Sequence, residues 1–138
     1  MAIKMRVLCT PGKKKLVTIT QMIKSEFELN INAADVIPPA YSCDKERLVI
    51  LAVTCKGSLK DDIRLFISEL NKNRAQNVAL MIDGNADGDA YVRSLLDGIT
   101  NVCPETLYIN GGNLFNSKVS DQEKTDIIAW VNKCIAAI

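Results

Sequence analysis

The sequence predicts an α/β domain built on a parallel sheet with helices against both faces. Three observations lead there: short apolar runs recur along the chain, each is followed by a glycine-containing loop, and each loop leads into a segment of helical period. Strands that alternate with helices in this way need right-handed crossovers, and those place the strands parallel.

Met5 to Cys9 is the first strand. Lys14 to Glu28 follows as a helix, with Leu16, Ile19, Met22, Ile23 and Phe27 at spacings of three or four, so that one apolar stripe faces the sheet. Ala34 to Ile37 forms a short second strand; Pro38-Pro39 ends it and favours an edge, because proline cannot donate to a ladder. Leu48 to Val53 is a continuous run rich in β-branched residues, the pattern of a strand covered on both faces. Leu59 to Asn71 is the next helix, with Leu59, Ile63, Phe66, Ile67 and Leu70 inward and Asp61-Asp62 near the positive end of its dipole. Val78 to Ile82 is the fourth strand, and Ala90 to Ile99 the helix after it, with Val92, Leu95, Leu96 and Ile99 inward. Thr106 to Ile109 is the last strand. Ser120-Asp121-Gln122-Glu123 has the form of a capping box, and Ile127, Ile128, Val131, Cys134 and Ile135 supply the stripe of the last helix.

The 138 residues fit one domain spanning 1–138, with no repeat, linker or low-complexity segment. With 17 Lys+Arg against 16 Asp+Glu, no global field draws the chain to nucleic acid or to an anionic membrane. No apolar run approaches the ~20 residues of a membrane span, and the stretch Met1 to Leu16, broken by Arg6 and followed by lysines, is not a secretory signal. The five cysteines, Cys9, Cys43, Cys55, Cys103 and Cys134, are odd in number, far apart and without a C-x-x-C pair, which disfavours a disulfide framework or a zinc site. Reduced thiols in a cytoplasm are the simplest reading. The absence of histidine removes imidazole bases, Ser-His-Asp triads and the commonest metal ligand.

In parallel α/β sheets ligands bind beyond the carboxyl ends of the strands, so the loops that matter are Thr10–Lys15, Thr54–Ser58, Asp83–Asp89 and Asn110–Lys118. Thr10-Pro11-Gly12-Lys13-Lys14-Lys15 runs into a helix N-terminus, and three lysines add to the dipole's field, which suits a phosphate; a solvated basic turn explains the same residues. It has neither the G-x-x-x-x-G-K-[ST] of a nucleotide-binding P-loop nor the G-x-G-x-x-G of dinucleotide folds. Asp83-Gly84-Asn85-Ala86-Asp87-Gly88-Asp89 begins like a calcium loop but lacks the closing glutamate, and reads instead as a glycine-rich turn with solvated acids. Cys9 ends the first strand beside the basic loop, where a thiolate could be stabilised for phosphoryl chemistry; a small buried strand residue is the other reading.

The order of elements and the landmarks in three loops resemble a short-chain flavodoxin or flavodoxin-like domain over nearly the whole chain. Those landmarks are the apolar third strand with Gly57-Ser58 and the helix bearing Phe66 and Leu70; Ile109-Asn110-Gly111-Gly112-Asn113-Leu114-Phe115; and Lys118-Val119-Ser120 with Glu123-Lys124. The resemblance implies a flavodoxin-like three-layer sandwich with a five-stranded parallel sheet of order 2-1-3-4-5. It also implies noncovalent FMN and electron transfer to a redox partner protein, with no catalytic side chain and no metal. Thr10, Gly12, Lys13 and Lys14 would then contact phosphate, and Thr54, Cys55, Lys56, Gly57, Asn85 and Tyr91 would border the ring. The site is degenerate against the family pattern S/T-x-T-G-x-T, since Cys9, Pro11 and lysines stand where hydroxyls belong, and Thr54 to Ser58 carries no aromatic to stack on flavin. A cofactor-free binding or regulatory module on the same fold is the alternative.

Overall fold

The computed structural model describes residues 3–113 and 115–138; Leu114 of the Gly111–Phe115 landmark, and Met1 of the N-terminal stretch, lie outside the described residues. Strands β1 (Met5–Cys9), β2 (Ala34–Val36), β3 (Leu48–Cys55), β4 (Asn77–Gly84), β5 (Asn101–Val102) and β6 (Leu107–Tyr108) alternate with helices α1 (Lys14–Glu26), α2 (Asp61–Ser68), α3 (Ala86–Leu96) and α4 (Asp121–Ala136). Every ladder is parallel, and the order is β2-β1-β3-β4-β5, with β6 also on β4. The short β2 sits at the edge, beyond β1, where the proline pair that follows it does no harm.

The two long central strands pair from Val49↔Val78 to Cys55↔Gly84. Their alternate side chains separate two cores. Met5, Val7, Ile50, Ala52 and Met81 pack against Leu16, Ile19 and Ile23 of α1 and Ile127, Trp130 and Val131 of α4. Leu8, Leu51, Val53, Leu80 and Ile82 pack against Ile63 and Ile67 of α2 and Val92 and Leu96 of α3. Each fully buried aliphatic side chain contributes roughly 1.5–3 kcal/mol, which explains why elements as short as α2 hold. No helix among the described residues is long and apolar enough to cross a membrane.

Element boundaries depart from the sequence expectation where local polar chemistry overrides apolar period. α1 stops at Glu26, because Glu28 takes a left-handed φ of 52° that ends the helix. α2 is confined to Asp61–Ser68, although Leu70 beyond it is still buried. α3 begins at Ala86, four residues before the expected start at Ala90, because Asn85 caps it and Asp87 and Asp89 suit its positive end. The expected strand Thr106–Ile109 shrinks to β6. Asn101–Val102, which has no apolar run to announce it, pairs lower on the same edge of β4.

Candidate functional site

The chain passes from β1 outward to β2 and then returns to β3 on the other side of β1, so the strand order reverses between β1 and β3. At such a point the loops after the two strands diverge to opposite faces and leave a crevice at the carboxyl ends. Two clefts lie on this rim. One, of about 340 Å³, opens between Thr10–Lys13 and the segment from Ser58 to Ile63. The other, of about 470 Å³, lies between Gly12–Lys14 and Gly111–Asn113.

The rim is held together by Asp83, the next-to-last residue of β4. Its Oδ2 accepts from Lys13 Nζ at 2.7 Å and from Thr54 Oγ1 at 2.9 Å, and its Oδ1 accepts from the Gly111 N–H at 2.9 Å. One carboxylate therefore joins the loop after β1, the end of β3 and the loop after β6. Burial pushes its pKa up, but the donated hydrogen bonds from Lys13, Gly111 and Thr54 outweigh that and hold the carboxyl below the usual aspartate range. A side chain at Gly111 would displace the carboxylate, since a Cβ there would lie 2.1 Å from Asp83 Oδ2. Asp83 is thus no solvated loop tip, and Asp87 and Asp89 belong to α3. Asp89 accepts from Arg93 and from Thr106.

Thr10 is buried; its hydroxyl accepts from the Thr54 N–H at 3.1 Å and its own N–H donates to Ala52 O at 3.0 Å. Gly12, at φ 100°, turns the chain into α1. Of the three lysines in the loop, two are neutralised. Lys13 is taken by Asp83, and Lys15 is turned inward, 5% exposed, with Nζ 2.6 Å from Glu123 Oε2. Lys14 is exposed and has no ion-pair partner among the described residues. The basic field read from the sequence is therefore reduced to one free charge.

The remaining predicted residues do not converge on the rim in the expected way. The Cys55 side chain is buried, its thiol 3.6 Å from Ser58 O. Its carbonyl oxygen is wedged against Gly84 and Gly88, where a Cβ at either position would come within 1.9 Å of it. Lys56 and Gly57 are exposed. Asn85 spends its Oδ1 on the Gly88 N–H at 2.9 Å, capping α3. Tyr91 is half-buried against the α2–α3 core and lines neither rim cleft. Burial pushes the Cys9 thiol up to about 11, with Asp35 adding to the shift, so Cys9 is the buried strand residue and not an activated thiolate.

A larger cleft, about 710 Å³, lies at the opposite end, among Lys4, Arg6, Glu28, Asp44 and Glu46. Its charges meet in part among themselves: Arg6 donates to Tyr41 O and Ser42 O and lies 3.8 Å from Glu46, while Arg6 Nε and Glu46 Oε2 are buried without a hydrogen-bond partner among the described residues. Burial also pushes the Glu46 carboxyl up, against the lowering effect of Lys4 and Arg6. The carboxyl-end rim is the better candidate, because strand topology and two clefts coincide there with a carboxylate that joins three segments. Sequence reasoning missed the role of Asp83, yet a signal was present: an acid continuing an apolar strand lies in register with Thr54 of the neighbouring strand. No protein-family model and no curated protein matches the chain.

Proposed function

We propose that this chain is a flavodoxin-like protein that works as a cofactor-free binding module, offering its rim to a partner protein in place of holding FMN. The fold half of the reading is supported by the parallel order β2-β1-β3-β4, with β5 and β6 sharing the fifth position. It is supported too by the division of the helices, α1 and α4 against one face and α2 and α3 against the other, which makes three layers.

The cofactor-free half rests on one observation: the Asp83 carboxylate occupies the centre of the rim and has already claimed Lys13, Thr54 and Gly111. The residues present do not fit FMN. A phosphate entering at the start of α1 would compete with a fixed carboxylate for Lys13, and would find the Thr10 side chain buried. An isoalloxazine ring would find no aromatic in Thr54–Ser58 and Tyr91 turned into the core.

A protein partner suits what the rim displays instead. Phe115 is 97% exposed, and Tyr108, earlier in the same segment, is half exposed. Exposed aromatics of this kind are the usual anchors of protein interfaces. Five free cysteines suit a reducing cytoplasm.

The test is a titration. The purified protein should be colourless, and FMN added to about 100 µM, far above the micromolar range of functional cofactor binding, should keep the absorbance and fluorescence of free flavin. A yellow protein, or saturable micromolar quenching, overturns the reading and restores FMN electron transfer.

A further inference from the structure

The cleft at the amino ends of the strands shares no lining residue with the rim clefts. Its volume of about 710 Å³ falls within the roughly 300–1,000 Å³ of small-molecule sites. Arg6 of β1 and Glu46, just ahead of β3, line it with side chains 9% and 4% exposed. Arg6 spends its Nη atoms on Tyr41 O and Ser42 O, and Nη1 stands 3.8 Å from Glu46 Oε1, too far for a hydrogen bond. That leaves one donor, Arg6 Nε, and one acceptor, Glu46 Oε2, both buried and both without a partner among the described residues. Such groups are rare in native proteins, because each forfeits its bonds to water. Burial pushes the Glu46 carboxyl up against the lowering effect of Lys4 and Arg6, so the neighbouring cations do not make good the water it has lost.

We propose that this cleft is a binding site for a small molecule that carries a primary carboxamide on an apolar body. A primary amide holds an N–H donor and a carbonyl acceptor in one planar group; the N–H would serve Glu46 Oε2 and the carbonyl Arg6 Nε. The surrounding charges select against the alternatives. A carboxylate brings no donor and would face Glu46, with Glu28 and Asp44 also lining the cleft; an ammonium or a metal cation would face Arg6 and Lys4. A zwitterion meets both partners but must shed the water of two full charges, whereas a neutral amide sheds far less.

The apolar body has its own surface. Ile3 and Leu29 are half-buried at the edge of the core, and Ile31 beside them in the cleft is 81% exposed. Lys4 is the part of the wall that yields. Its Nζ donates to Asp44 O and lies 4.0 Å from Glu46 Oε1, and its side chain is 55% exposed, so turning it to solvent costs little and opens the way to the carboxylate.

The experiment titrates the full chain with benzamide, a minimal probe with both parts, while the backbone amides are followed by NMR. The expected result is saturation with a Kd of about 1 mM, as suits a ligand of this size. Shifts should be confined to residues 3–6, 28–33 and 42–46, with residues 12–14 and 111–113 unmoved. At a concentration ten times Kd the thermal midpoint should rise by about 5 °C. Benzoate, which has no donor, and N,N-dimethylbenzamide, whose nitrogen carries no proton, should each bind at least about tenfold more weakly. Replacing the pair together, Arg6→Met with Glu46→Leu, should abolish the shifts and leave the melt close to native, because apolar residues of similar volume stand in well for a buried ion pair. No saturation by about 20 mM benzamide, equal binding of benzoate or N,N-dimethylbenzamide, saturable binding of leucine in place of benzamide, shifts centred on the rim, or shifts that persist in the folded double variant would each overturn the assignment.

Discussion

Replacing Asp83 with alanine takes one acceptor group from three loops at once. The Gly111 N–H is buried and the Thr54 hydroxyl lies within the rim, so each donor left without a partner costs about 1 kcal/mol. Lys13 is 35% exposed and regains water when released, so its ion pair adds only about 0.5–1 kcal/mol after screening. The sum is about 2–3 kcal/mol. With an unfolding entropy of about 0.3 kcal/mol/K for a chain of this length, the thermal midpoint should fall by about 7–10 °C at pH 7.

Asp83→Asn separates the contributions. Asparagine can still accept from Gly111 through Oδ1, but its Nδ2 then faces two donors, so it should fall between alanine and the native protein or match alanine. The pH dependence carries its own sign. The native carboxyl is held below its unfolded value, so the native state binds fewer protons than the unfolded state. The stabilisation from Asp83 is therefore present above the ordinary aspartate value of about 3.9 and is lost as pH falls through the lower native value. Circular dichroism melts at pH 7 and near pH 3 test both points: the gap between native protein and Asp83→Ala should be narrower at the second than at the first. A midpoint within about 2 °C of native at pH 7 would refute the view that Asp83 ties the rim together.

Gly88→Ala should destabilise by about 2–4 kcal/mol in urea unfolding, because the new Cβ would lie 1.9 Å from the Cys55 carbonyl oxygen and backbone must move; a midpoint like native would show that the β4–α3 turn is not packed so closely. Glu123→Gln strands the buried Lys15 ammonium and should lose about 2 kcal/mol, discounted for the partial exposure of Glu123, whereas Lys15→Met should lose under about 1 kcal/mol; the reverse order in urea would refute the pairing. The hydrogen bond from Lys15, with help from the Ser120 N–H, holds Glu123 below its ordinary range, so its contribution should fade as pH drops below about 4.3. Ser120→Ala removes one half of a reciprocal cap and should cost about 1 kcal/mol, read as a lower urea midpoint with unchanged slope.

The parts of this molecule that could be read from residues alone are those where one local signal decides the outcome. Continuous apolar runs gave β3 and β4 their central place, stripes at helical spacing gave α1 and α4 their buried faces, and Ser120 with Glu123 marked the start of α4 to the residue. The site resisted because its residues act through partners far away in the chain. Lys13 and Lys15 look alike as neighbours in a basic turn, yet one meets Asp83 and the other Glu123, 70 and 108 positions on. Local composition therefore overstated the positive field, and it mistook Asp83 for a solvated acid for the same reason. The start of α3 was legible in principle, since Asn85 followed by Asp87 and Asp89 is an N-terminal signature, but the apolar stripe begins later and masked it. In a parallel α/β fold the sequence thus states which loops share a rim, while the charge on that rim depends on which side chains find one another across it.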